Sequence, residues 1–402
     1  MMRFPVRASE VLRKVIPTAL EGLHAARRRV LLRAVDALAE GGRLPLMDLA
    51  RSAQGESHVW APLKAFDRLL SNRNLWAEHE LLYKALSAPW QDQRRPLLLV
   101  DWTDTKSDRS IHLLRAARAV GSRALPVLDR VFSNTQQQTA KAHAQFLAQL
   151  RQMQPPKAQP ILVCDAGFGI RWFQQAHAAG FAVVARLRGV SQVAAVGSDT
   201  FVRLTTLHAQ AQTTPEDLGY HHITRCHHQP LRLIRVRLDD RQRRKLTAFG
   251  KHAKRNPCAE ANAEPWLLIV SPALADLSAE EIVRIYATRM QIEESFRDLK
   301  NDRFGHALCH SQTRKSQRLL MLILLDALAT YAAFWLGILA RQHGIDRYLL
   351  PHRHAAKRQI PQLSVVRIGR ELMRRYTQWR PPWPENLQIL RSAHQTIYAH
   401  AA

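Results

Sequence analysis

Tyr286-Ala-Thr-Arg-Met-Gln-Ile-Glu-Glu-Ser-Phe-Arg-Asp-Leu-Lys300 is the stretch on which the reading of this chain turns. It contains no Pro or Gly, and Ser278 with Glu281 three residues later has the form of a capping box. One helix from about Ala279 to about Lys300 is expected. At roughly 100° per residue, Ile285, Ile292, Phe296 and Leu299 form its buried stripe. Tyr286, Arg289, Glu293 and Lys300 line up along one edge of that stripe, while Gln291, Glu294 and Asp298 face away. A carboxylate flanked by two cations and a phenol suits a metal-bound phosphodiester. The plainer alternative is a solvated charged edge held by i,i+4 pairs.

Two upstream stretches also end in carboxylates. Pro96 is followed by Leu-Leu-Leu-Val-Asp101, a short, wholly apolar run that reads as a central strand buried on both faces. Pro160-Ile-Leu-Val-Cys-Asp165 repeats the device, with Gly167 and Gly169 after it. Between them, Ile111 to Val120 and Arg123 to Phe132 read as strands, and Gln137 to Met153 as an amphipathic helix. Trp172 to Ala179 reads as helix and Phe181 to Leu187 as the next strand. The order strand-strand-strand-helix-strand-helix-strand is that of a ribonuclease-H-like α/β fold.

Around this core, residues 1–92 are expected to be a helical DNA-binding domain. Within it, Pro45 to Ala53 and Ala61 to Leu70 have the spacing of a helix-turn-helix, with Lys64 and Arg68 one turn apart; any three-helix bundle would look similar. The catalytic core is expected at 93–188 and 265–320, a mostly β insertion at 189–264, and a helical region at 321–402. In the insertion, Leu231-Arg-Leu-Ile-Arg-Val-Arg-Leu alternates as a half-exposed strand does. Pro265-Trp266-Leu-Leu-Ile-Val returns the chain to the core.

The 402 residues hold 59 Lys and Arg against 33 Asp and Glu, a net charge of +26, which points to a polyanionic partner, nucleic acid before ribosome or membrane surface. Four irregularly spaced Cys imply a reducing compartment. The first twenty residues lack a long apolar run, so no export signal is expected. Leu319 to Ala340 is long enough to span a bilayer, but Asp326 interrupts it and Arg flanks both ends, so a buried helix is expected. His221, His222, Cys226, His227 and His228, with His252 and Cys258, invite a zinc site but lack a clean paired spacing.

The spacing Tyr-x2-Arg-x3-Glu-x6-Lys at Tyr286, Arg289, Glu293 and Lys300 resembles the signature of the "insertion sequence four" family of DDE transposases. The surrounding Met-Gln-Ile-Glu-Glu and Phe-Arg-Asp-Leu-Lys are most similar to its transposon-ten branch. The resemblance runs from about Leu44 to about Gly369. It implies cut-and-paste DNA transposition in bacteria, with Asp101, Asp165 and Glu293 as catalytic residues and ligands of two Mg2+ ions, Mn2+ being an alternative. Asp104 and Asp108 compete with Asp101 for the first position. The resemblance further implies that Tyr286, Arg289 and Lys300 contact phosphates, that Trp266 stacks on a flipped base, and that Arg186 and Arg188 contact DNA. The expected partners are double-stranded DNA (terminal inverted repeats and target) and a second copy in a homodimer, in the cytoplasm at the nucleoid, with no membrane. A metal-dependent nuclease that cuts without joining and a non-catalytic DNA-binding regulator are the rival functions.

Overall fold

The computed structural model describes residues 6–383 except 54, 56–57, 122, 190–191, 225–228, 240–263, 304, 350–362, 376–378 and 380. In chain order the helices and strands are α1 (Ala8–Val15), α2 (Pro17–Glu21), α3 (Ala25–Ala39), α4 (Leu46–Arg51), α5 (Trp60–Leu70), α6 (Arg73–Ser87), β1 (Leu97–Asp104), β2 (Ile111–Ala119), β3 (Ala124–Ser133) and α7 (Ala140–Gln152). There follow β4 (Ile161–Cys164), α8 (Ile170–Ala178), β5 (Ala182–Arg186), β6 (Gln192–Ala195), β7 (Val202–Arg203), α9 (Leu204–Ala209), β8 (Glu216–Ile223), β9 (Leu231–Val236) and β10 (Trp266–Val270). The last are α10 (Ala279–Ala287), α11 (Met290–Lys300), α12 (Ser316–Gln342) and α13 (Val365–Arg375). The expected sequence of three strands, helix, strand, helix, strand is therefore present. Two compact units divide the chain, one of residues 1–93, 102–137 and 291–402, the other of residues 94–101 and 138–290.

The unit of residues 94–101 and 138–290 is built on strands in the order β1-β4-β5-β10-β9-β8-β6-β7. β1 and β4 run parallel, as do β4 and β5. Leu98, Leu99 and Val100 are fully buried, as a continuous apolar run between covered faces requires. β10 then pairs antiparallel with both β5 and β9. Thr139 caps α7 by accepting from Ala142 N–H. The half-exposed reading of β9 is corrected: all six of its residues are buried. The arginines that made it look amphipathic are neutralised inside, Arg232 by Asp217 and Arg235 by Glu216.

The other unit is organised on α12. Every residue from Leu319 to Ala340 is buried, so the apolar run is a core helix here, the one described helix long and apolar enough to cross a membrane. Trp90 packs on Tyr331, Phe334 and Trp335, and Tyr331 donates to the carbonyl of Pro126 in β3. α13 approaches α12 so closely that a Cβ on Gly369 would stand 1.8 Å from Ala333 O, and one on Gly337 2.0 Å from Val365 O. Only glycine permits that contact. Charge is buried in this core too. Asp129 accepts two hydrogen bonds from Arg115 and one from Tyr83 Oη, at 2.7–2.9 Å. Asp326, the residue that breaks the apolar run, meets His306 Nδ1 at 2.6 Å.

The single helix expected from Ala279 to Lys300 is two. The capping box forms as expected, Ser278 and Glu281 exchanging both hydrogen bonds. The helix then stops at Ala287. Thr288 Oγ1 donates to Ile285 O at 2.7 Å, and Thr288 and Arg289 N–H turn back to Ile285 and Tyr286 carbonyls, tightening the turn. Tyr286 thus sits on α10, Arg289 in the link, and Glu293 and Lys300 on α11. The straight edge of four residues does not exist as one helical row.

Candidate active site

Register places the first two aspartates. Val100 pairs with Cys164 as the last rung of the parallel β1–β4 ladder, so Asp101 and Asp165 are the next residues along the two chain segments. The expected strand end at Asp101 is corrected, because β1 runs on to Asp104 while β4 stops at Cys164. Adjacent strands lie about 4.8 Å apart, so the two carboxylates are presented side by side. Both are only partly covered. Asp165 accepts from Gly167 N–H at 2.8 Å, which folds the chain into a tight turn and aims the carboxylate. Arg289 Nη1 lies 3.7 Å from Asp101 Oδ2. Beneath them, burial pushes the Cys164 thiol well up, with the neighbouring aspartates adding to the effect, so it stays a neutral packing group.

The aromatic and basic fringe of this unit is more tightly held than the sequence suggests. Trp266, 5% exposed, meets the Tyr286 ring edge-to-face at 4.8 Å between centroids. Burial raises the Tyr286 phenol above its usual range. Arg186, also buried, donates to the backbone and carboxylate of Glu264 at 3.0 and 3.3 Å, and burial lowers its guanidinium below the usual value. Arg188 donates to the same carboxylate at 2.6 Å but stays exposed. Glu264, which sequence reasoning passed over, is therefore the clamp of both arginines. Its signal was its place, two residues before Trp266.

Glu293 and Lys300 belong to the other unit. There Lys300 Nζ donates to Thr103 Oγ1 at 2.7 Å, beyond Asp101 on the outer half of β1. Ser295 and Phe296 of α11 lie on Arg115, whose guanidinium stands 5.6 Å from the Phe296 ring centre. The far side of α11 is fixed by Arg123, which reaches Glu294 and Asp298. Asp104 and Asp108 are otherwise engaged, Asp104 with His112 and Arg109, Asp108 with Ser110. Neither follows the strand register that aligns Asp101 with Asp165.

Carboxylate oxygens side by side are the donor set hard divalent cations choose. Among the described residues no three His, Cys, Asp or Glu side chains are gathered into a metal-binding cluster. Of the residues that invited zinc, His221 and His222 lie on β8, and His221 Nδ1 is 3.2 Å from Gly219 O. Cys226, His227, His228, His252 and Cys258 lie outside the described residues.

A mixed α/β core that sets two aspartates just past the last rung of a parallel ladder, in a chain this basic, suits phosphoryl transfer on a polyanion. The family model of the transposase DDE domain matches residues 92–330, and the chain belongs to that family. It is a DDE transposase, an enzyme of DNA transposition and recombination whose family uses divalent metal ions on a ribonuclease-H-like core. No curated protein matches the chain.

Proposed function

We propose that this transposase moves a bacterial insertion sequence by cut and paste, with Asp101, Asp165 and Glu293 as the acidic triad. The observation that carries the reading is the Val100–Cys164 pairing, which brings Asp101 and Asp165 side by side. Glu293 joins them as the glutamate of the Tyr-Arg-Glu-Lys spacing that runs from Tyr286 to Lys300. These carboxylates would hold two Mg2+ ions, or Mn2+, which supply Lewis-acid stabilisation and a deprotonated nucleophile.

The reaction is a series of in-line displacements at phosphorus. Water cuts one strand at the element's end, leaving a 3′-hydroxyl. That hydroxyl attacks the opposite strand and closes a hairpin, expelling the flanking DNA. Hydrolysis reopens the hairpin, and the same 3′-hydroxyl then attacks target DNA. Arg289 and Lys300 offset phosphate charge, Arg in a forked and Lys in a point contact. Tyr286 donates its phenol to a phosphate. Arg188, exposed at the end of β5, reaches DNA, and Arg186 supports it through their shared Glu264. Trp266 receives an unpaired base once Tyr286 moves off its ring. Residues 1–92 bind the terminal inverted repeat, and two copies act together on paired ends.

Purified protein incubated with Mg2+ and DNA carrying the inverted repeats that flank the gene tests the whole scheme. Nicked, hairpinned and strand-transferred products are expected in that order. Cutting without joining would leave a nuclease, and binding without cutting a regulator.

A further inference from the structure

α1 and α3 enclose a polar cleft of about 470 Å3 that none of the proposed catalytic roles uses. Five arginines line it: Arg7 and Arg13 at and on α1, and Arg28, Arg29 and Arg33 on α3. Three carboxylates, Glu10, Asp36 and Glu40, share the lining, leaving two positive charges in excess. Asp36 is committed to the contact between the two helices. Its two oxygens take the backbone N–H and the hydroxyl of Ser9, both at 2.7 Å, which pins α1 to α3 and closes the floor. Burial raises its carboxyl above the usual range, against the opposing pull of Ser9, Arg7 and Arg13.

The neighbouring Arg27 points elsewhere, to Glu78 on α6, so α3 is held from behind while its other face carries the cleft arginines. Arg28 is tethered to the carbonyl of Leu20. Arg13 and Arg29 are exposed, one on each wall. On α3, Arg29 and Arg33 are one turn apart, about 5–6 Å, and each DNA strand offers a charge about every 3.4 Å of axis. Such a row can address neighbouring phosphates on one strand. A cleft whose lining carries net positive charge attracts an anion that enters it.

We propose that the cleft between α1 and α3 is a docking site for the DNA sugar-phosphate backbone, with Arg13 and Arg29 taking phosphates at its two walls. This deepens the DNA-binding role given to residues 1–92 and rests on it. The contact is sequence-independent, and it fixes where on that region the duplex lies.

The test is fluorescence anisotropy of the full-length protein with a labelled random-sequence duplex across a salt series. Arg13→Gln with Arg29→Gln should weaken binding at least about tenfold and flatten the log–log salt slope by about 2. Glu10→Gln, which removes a negative charge from the wall, should tighten binding. A double variant with wild-type affinity and slope would overturn the cleft assignment. If the double variant does not fold, failure of Glu10→Gln to tighten binding overturns it instead. Wild-type protein that shows no salt-dependent DNA binding would count against the broader DNA-binding role, and so against the cleft with it.

Discussion

Arg289 Nη1 stands 3.7 Å from Asp101 Oδ2. A cation so placed would compete with a metal ion at the proposed site for the same carboxylate. A unit charge at 4 Å is worth about 1 kcal/mol even at the dielectric of water. Arg289→Gln should therefore tighten Mn2+ binding, measured by titration calorimetry, by about fivefold or more, while DNA affinity falls. Weaker or unchanged Mn2+ binding would remove Arg289 from this role.

Asp101→Ala, Asp165→Ala and Glu293→Ala should each abolish cleavage of labelled element ends while gel-shift affinity survives. Each change removes a metal-ligand candidate and leaves the basic contacts in place. Full activity in any one variant would transfer its role to another carboxylate, with Asp104 the first to try.

Trp266→Ala separates two roles for one ring. Base stacking on an aromatic is worth about 1–3 kcal/mol, so hairpin yield should fall about 5- to 100-fold while the first nick persists. An abasic site at the flipped position should partly restore the hairpin. Because the ring is packed against Tyr286, the melting temperature should drop as well. Equal loss of nicking and hairpin without abasic rescue would make Trp266 a packing residue only.

Arg115→Met should cost about 3–5 kcal/mol of stability in urea denaturation, because Asp129 stays buried without its partner. Adding Asp129→Asn removes the stranded charge and should recover much of the loss. A single variant as stable as the wild type would mean that water reaches Asp129.

Burial among Phe168 and Trp172 pushes the His143 imidazole down to about 4. The unfolded chain takes up that proton near pH 6.5 and the folded chain only near 4. Stability should therefore fall as pH drops through that window, and level off below it as far as this group is concerned. His143→Gln should flatten the fall in melting temperature between those limits. An unchanged pH profile would show that His143 is hydrated.

The core strands were legible because burial on both faces leaves a signature that local composition cannot hide: four or more apolar residues in a row, then Asp. The same holds for the capping box at Ser278, whose two partners are three residues apart in the chain. The break at Thr288 was not anticipated, although the residue that makes it stands in the sequence. A threonine hydroxyl that captures a carbonyl one turn back competes with the helix only where the surroundings let the chain turn. β9 misled for a different reason. Its arginines look solvent-facing in the sequence because their partners, Asp217 for Arg232 and Glu216 for Arg235, stand 15 and 19 residues earlier in the chain, on β8.

By itself the sequence determined the alternation of elements, the buried apolar runs that lead into Asp101 and Asp165, and a charge that demands a polyanion. Those follow from hydrophobic periodicity and from counting, both properties of the chain alone. Only the tertiary structure decided that Val100 faces Cys164, that Glu264 clamps two arginines, and that five arginines meet around one cleft. Register and convergence are set by contacts between residues far apart in the chain, and no local pattern encodes them.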